Sequence, residues 1–309
     1  MRQKLMRVLF MCGALYMIPC ILTMLIRKNI PETDGKTFDS GILVYISQGS
    51  EMEAMDLEEY LVGVVSAQIP ADYPLEACKA QAVIARTHVM NIMGSRTSAA
   101  ASELGQAYDS RETILEKYGT KASGYYETLV QAVTATSEEV LTFDGALAEP
   151  VYFYGGTGKT RNAADVWGSE IPYLSAVESP EDGEAQENQT QVTMDVEECI
   201  QRLKAGDSDF EASAQTFKDT VQILEKDESG YVLSIQLGNK TFSGEQLRSL
   251  LDLPSAAFEV RAKRKTITFD VTGCGHGVGL SQQGALIMAE EGRNYEEILT
   301  WYFPGAGIE

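Results

Sequence analysis

Histidine and tryptophan are the scarcest side chains in this 309-residue chain, two of each, and cysteine is little commoner at five. His88 and His276 lie far apart in sequence and no Cys-x-x-Cys pair exists, so the ligand inventory is too small for a structural zinc site. No metal and no cofactor is expected. Cys12 and Cys20 fall in an apolar run, and Cys78, Cys199 and Cys274 are an odd remainder that makes no disulfide framework and reads as three small buried thiols. Basic side chains are also few, 25 Lys+Arg against 45 Asp+Glu. Five of them sit in residues 1–28, which hold no acid, so the rest of the chain carries 20 against 45 and a formal charge of −25. That balance excludes nucleic acid as a partner, because phosphate binding needs a basic face.

Three further absences remove whole chemistries. Gly155-Gly-Thr-Gly-Lys-Thr160 ends like a phosphate loop, but Phe153 stands where the first glycine of G-x-x-x-x-G-K-T belongs. The alternating glycines Gly273, Gly275, Gly277 and Gly279 complete no G-x-G-x-x-G, since Val278 and Leu280 occupy the sixth positions. Ser281 has no G-x-S-x-G elbow around it, so a helix cap is favoured over a nucleophile.

What is present begins with Val8 to Ile26, 19 residues without a charge, flanked by Arg2, Lys4 and Arg7 before and Arg27 and Lys28 after. The run is long enough to cross a bilayer, Pro19 is tolerable there, and the basic excess before it puts the amino terminus in the cytoplasm. A cleaved signal peptide is the alternative. The run exceeds the usual apolar core of about 7 to 15 residues and no small-x-small site follows it, which favours a single-pass anchor. Residues 1–29 are then tip and anchor, 30–39 a tether, and 40–307 a domain outside the cytoplasm, large enough at 44% hydrophobic content to bury a core.

Within that domain the spacing of Leu75, Cys78, Ala82, Ala85, Val89 and Ile92 predicts a helix, with Lys79 and Arg86, seven apart, on its polar face. A shorter helix is expected from Leu57 to Val65 and another from Ser123 to Thr136. Strands are expected at 140–143 and 151–154 with an Asp144-Gly145 turn between them, and again across 220–241. Eight acids lie between Glu178 and Glu198 with no basic residue from Arg161 to Arg202, so the region 180–198 reads as an acidic excursion, solvated from Pro180 to Thr190. Asn294 to Glu297 is a capping box. Strands and helices without regular alternation give α+β: mixed sheets with packed helices, in one domain or two lobes.

Gly273-Cys-Gly-His-Gly-Val-Gly279 places a histidine among four glycines at the mouth of an apolar helix, which reads as a ligand loop. His276 either contacts that ligand or is hydrogen-bonded to fix the loop. Three blocks then carry a resemblance: Leu57 to Pro70 running into Leu75 to Thr87; Phe153 to Asp182 with Val166-Trp167-Gly168 and Ile171-Pro172-Tyr173-Leu174; and Gly275 to Ala285 continuing to Tyr302-Phe-Pro-Gly305. In content and order they resemble the SpoIID/LytB family of sporulation and cell-wall proteins over roughly residues 40 to 307.

The resemblance implies binding of peptidoglycan glycan strands during engulfment in sporulation, in a septal or intermembrane space, beside an amidase and other engulfment proteins. In active members it implies lytic transglycosylase cleavage between N-acetylmuramic acid and N-acetylglucosamine, in which one carboxylic acid protonates the glycosidic oxygen and a 1,6-anhydro ring closes. The family's acid falls on Gln68 here, and a carboxamide cannot donate a proton as a carboxylic acid does. Carried over position by position, the glycan-lining residues are Lys79, Gln81, Arg86, His276, Ser281 and Gln282. Arg86 could equally pair a buried acid. Glu58, Glu59, Asp72 and Glu76 are the nearby carboxyls, with Glu76 placed to pair Lys79. Metal-binding members carry ligands in the segment matching Ala99 to Tyr108, and this chain has none there. Two readings stay open: cleavage through another acid, or a glycan-holding scaffold without turnover.

Overall fold

A computed structural model of the chain describes residues 38–309 except 49–50, 71, 180–181, 184 and 186–187. The expected anchor at 1–29 and most of the tether at 30–39 lie outside the described residues; among those described, no helix is long and apolar enough to cross a membrane. The fold is α+β, with helices packed around several small sheets.

Strands β1 (Leu43–Gln48) and β2 (Glu51–Asp56) pair antiparallel, and β3 (Ser98–Ala100) joins β1 in parallel. Asp56 closes β2 and opens α1 (Leu57–Gln68), its carboxylate accepting the Glu58 N–H at 2.8 Å. Helix α2 (Leu75–Met93) starts directly after Pro74 and stops at Gly94, whose φ of +58° ends the helix. Helices α3 (Arg111–Tyr118) and α4 (Ala122–Ala135) follow, the former capped by Ser110 and unforeseen from its sparse apolar pattern. Leu61, Val64 and Val65 of α1, Val83, Ile84 and Val89 of α2, and Leu129 and Val133 of α4 share one buried core.

The Asp144-Gly145 turn forms, with both residues left-handed as a two-residue hairpin requires. Its partner differs from expectation: β4 (Leu141–Phe143) returns into β5 (Ala146–Leu147) with Phe143 opposite Ala146. Strand β6 (Tyr152–Phe153) instead pairs in parallel with Leu280 and Ser281, more than a hundred residues on. After α5 (Ala163–Trp167) comes a second cluster: β7 (Gln189–Asp195), α6 (Val196–Gly206), β8 (Gln222–Lys226), β9 (Val232–Leu237), β10 (Lys240–Phe242), α7 (Gly244–Leu251), β11 (Phe258–Ala262) and β12 (Thr266–Thr272). Its two sheets, ordered β10-β9-β8 and β11-β12-β7, enclose Phe210, Phe217, Ile235, Leu247, Phe258 and Phe269. In β12 the alternation is plain, with Ile267, Phe269 and Val271 inward and Thr268 and Asp270 between them. The chain then returns: β13 (Leu280–Ser281), α8 (Gln282–Glu290), α9 (Tyr295–Tyr302) and β14 (Gly307–Ile308) contribute Leu280, Ile298 and Leu299 to the first core.

Two expectations are corrected here. Within 180–190, Asp182 and Asn188 are each 1% exposed, because Asp182 accepts the Gly156 N–H at 2.9 Å and the Asn188 side-chain N–H at 3.0 Å; 189–198 is strand β7 and the start of α6. At Asp182 and Asn188 the segment is therefore packed and not solvated, while Asp195, Glu197 and Glu198 are exposed. Cys78 and Cys199 are buried, but Cys274 is exposed, since the glycine loop packs through its backbone and turns that side chain outward.

Gly63 of α1 sets the approach of the next segment. A Cβ there would lie 2.3 Å from the Tyr108 ring and 2.5 Å from the Asp109 carbonyl, and the Asp109 N–H donates to Gly63 O at 3.0 Å. The 105–109 segment therefore lies flat on α1, with Tyr108 stacked on Tyr60 at 5.3 Å. Gly63→Ala is expected to cost about 1–3 kcal/mol in urea unfolding by overpacking and to push this segment off the helix. An unchanged midpoint would contradict that contact.

Candidate functional site

Helix α1 ends by delivering Gln68 to the wall of a cavity of about 310 Å³, lined also by Ile84, His88, Gln106, Pro150 and Tyr152. Ile69, next in the chain, is extended, and its carbonyl accepts the Tyr125 hydroxyl at 2.8 Å, which pins the helix exit. Among the described residues, the cavity wall carries no Asp, Glu, Lys or Arg.

Four glutamines converge there. Gln106 donates its side-chain N–H to Ala85 O at 3.2 Å and accepts at Oε1 from Gln68. Gln81 donates to Gln68 Oε1 at 2.8 Å, and Gln282 donates both to Gln81 Oε1 at 3.2 Å and to the Gln68 backbone carbonyl at 2.8 Å. Amide orientation is assigned from such partners rather than seen, and here both ends are backbone carbonyls, which only accept. The direction of the whole chain of bonds is thereby fixed. Position 68 must donate to Gln106 and accept from Gln81, a pattern that an amide or a protonated carboxyl satisfies. An ionised carboxylate would set one of its oxygens against Gln106 Oε1.

Gln282 reaches this point because α8 is anchored at its first turn. Ser281, fully buried, caps it by accepting the Gly284 N–H at 3.1 Å. Buried Asp182, whose carboxyl is pushed above the ordinary range chiefly by burial, is also hydrogen-bonded to the Ser281 and Ser179 hydroxyls. Ser281 thus serves as a cap and not as an exposed group.

The glycine loop is occupied by protein. All four alternating glycines have positive φ, and a Cβ would meet Gly155 O at 2.7 Å from Gly273, Phe153 Cβ at 2.5 Å from Gly275, the Tyr231 hydroxyl at 2.6 Å from Gly277 and Val151 O at 2.3 Å from Gly279. On the side a Cβ would take, the glycines let the loop lie against the 151–156 segment and Tyr231. His276 helps fix it: Nδ1 accepts the Val278 N–H at 3.1 Å, and the ring also bonds the Tyr152 backbone. Arg161, itself 1% exposed, donates to His276 O at 3.2 Å while its guanidinium holds Asp227 and Glu245, each at 2.7 Å. Burial first, then the nearby Arg248 and Arg161, lower the His276 pKa from 6.5 to about 4. The native state therefore binds fewer protons than the unfolded chain between those pH values, and stability is lost as pH falls through them, by as much as about 3 kcal/mol. His276→Asn, whose Oδ1 can replace Nδ1 as acceptor, is expected to flatten that acid limb in pH-dependent urea unfolding; parallel curves for both proteins would contradict it.

Of the residues singled out from sequence, Gln68, Gln81 and Gln282 come together. Arg86 does not join them. Its guanidinium grips Glu58 through two bonds, at 2.8 and 2.6 Å, and donates to Glu139 O and Val133 O, with both side chains almost fully buried. Lys79 pairs Glu76 at 2.7 Å and lies 5.4 Å from the Tyr295 ring, while the second Glu76 oxygen accepts the Tyr295 N–H. Two of the nearby carboxyls, Glu58 and Glu76, are thus committed to ion pairs, and Glu59 and Asp72 are exposed on the surface. Reading the sequence missed Gln106, His88 and Tyr152 as wall residues. The only hint was Gln106-Ala107-Tyr108, kept in a segment that lacks metal ligands. Among the described residues no three His, Cys, Asp or Glu side chains are grouped to hold a metal ion.

Comparison with known proteins matches residues 45–143 to the family described as SpoIID, Stage II sporulation protein. Stage II sporulation protein D of Bacillus subtilis (strain 168) is 30% identical over 336 aligned positions, covering 100% of this chain and 96% of that protein. The Bacillus amyloliquefaciens protein of the same name is 32% identical over 91% of this chain and 83% of its own length. An amidase enhancer of Bacillus subtilis (strain 168) is 26% identical over 80% of this chain and 40% of its own. With similarity to the two D proteins over 100% and 91% of its length, at 30% and 32% identity, this chain belongs to the SpoIID family of stage II sporulation proteins.

Proposed function

We propose that this chain is a membrane-anchored sporulation protein whose extracytoplasmic domain binds peptidoglycan glycan strands at the Gln68 cavity and holds them without cutting them. One observation carries the reading: the position that matches the family's acid is an amide, locked as a donor to Gln106 and an acceptor from Gln81. Amides and an uncharged wall suit the hydroxyl and acetamido groups of the strand's neutral unit, N-acetylglucosamine, and they supply no proton. Of the carboxyls considered as replacements, Glu58 and Glu76 are ion-paired, and Glu59 and Asp72 do not line the cavity. The likeness to an amidase enhancer supports work beside an amidase, on strands from which stem peptides have been removed. The apolar run at 8–26 supports the anchor.

The test is a pull-down of the full chain, in detergent, with stem-free glycan strands. Retention that falls sharply on Gln81→Leu, with folding intact by circular dichroism, is expected. Failure of the wild-type chain to be retained would sink the proposal.

A further inference from the structure

One exposed aromatic ring lies against the glycine loop, with no acceptor for its indole N–H among the described residues. Trp167, the last residue of α5, is 46% exposed, yet the backbone beneath it is fixed. The Ala163 N–H donates to Leu174 O at 2.9 Å, the Asn162 side chain bonds both Asp165 and the Ala176 N–H, and the Gly168 N–H donates to Ala164 O at 2.9 Å from a left-handed cap. Presenting a large apolar ring to water from a rigid base forgoes burial free energy, which a ligand would recover.

The position of the ring points to which ligand. Its centroid is 5.4 Å from the His276 imidazole, which stands 6.0 Å from the buried Phe153 ring and bonds the backbone of Tyr152, a wall residue of the Gln68 cavity. His276 thus ties Trp167 to β6, the strand that supplies Tyr152 to the cavity wall. The other tryptophan offers a contrast. Trp301 is 45% exposed, but its indole N–H donates to Glu178 O at 2.9 Å, whereas among the described residues that of Trp167 has no acceptor. An aromatic face with an N–H at its rim that has no acceptor among the described residues matches a pyranose: apolar C–H face on one side, hydroxyls at the edge.

We infer that Trp167 is a stacking platform for a sugar ring outside the Gln68 cavity, lengthening the glycan groove along the His276 edge. The inference rests on the glycan reading above, and the experiment separates the two. The full chain carrying Trp301→Phe has Trp167 as its sole tryptophan. Titration with stem-free glycan fragments of defined length is expected to shift its emission to the blue and saturate together with binding measured by calorimetry. Trp167→Ala is expected to weaken binding of long fragments tenfold to a hundredfold, while Trp301→Ala, equally exposed, changes it less than twofold. Trp167→Phe, which keeps a ring, is expected to recover most of the loss. If wild-type chain binds the fragments but Trp167→Ala binds them equally well, or the emission of Trp167 does not move, the platform is refuted and the cavity reading stands. If wild-type chain binds no fragment of any length, both fall together.

Discussion

Gln68→Glu is expected to turn a binding protein into a cutting one. Supplying the missing general acid is worth about 100- to 10,000-fold in rate, so 1,6-anhydromuramoyl ends should appear from stem-free glycan at least about 100-fold faster than with wild-type chain. The geometry makes this more than a residue swap. Gln106 Oε1 is held toward position 68 by the Gln106 bond to Ala85 O, and Gln81 donates from the other side. A glutamic acid there meets an acceptor where its proton would sit, which favours the protonated form and raises its pKa above the ordinary value of about 4.3. Activity of the variant should accordingly be highest at acid pH and decline as pH rises through that raised pKa. Adding Gln106→Ala removes the acceptor, so the decline should move to lower pH. A Gln68→Glu variant that binds glycan normally yet makes no anhydro ends would show that the cavity lacks more than its acid.

The second large effect is on stability. Arg86→Ala leaves Glu58 buried and unpaired, and Glu58→Ala does the same to Arg86; each should cost about 3–5 kcal/mol in urea unfolding. The double change Glu58→Leu with Arg86→Met, which fills the volume without charge, should recover most of that loss. Glycan retention, measured at a temperature where the variants stay folded, should be unchanged in all three. A selective loss of retention with stability intact would restore Arg86 to the groove.

Much of the frame is legible in the sequence because local signals agree with tertiary structure. The apolar spacing from Leu75 gives α2, Asn294 and Glu297 form their capping box, and Ser281 caps α8. Legibility fails where a partner is distant. Lys79 and Arg86 share a helical face by spacing, yet Glu58, 28 residues earlier, draws Arg86 into the core while Lys79 stays at the surface. The Asp144-Gly145 turn is visible, but a parallel pairing of β6 with β13 leaves no local mark. The glycine loop is the instructive case: its pattern announces close approach, and on the Cβ side what approaches is the strand behind it. Gln106 could not be assigned from sequence because its contact with Gln68 depends on the missing Cβ of Gly63 letting one segment lie flat on a helix.

The central claim is that position 68 binds and does not cut. Full-length wild-type chain, incubated with stem-free glycan strands at pH 5 and pH 7, should retain the strands and generate no 1,6-anhydromuramoyl ends above a protein-free control. Anhydro ends accumulating with each turnover of the wild-type chain would contradict it.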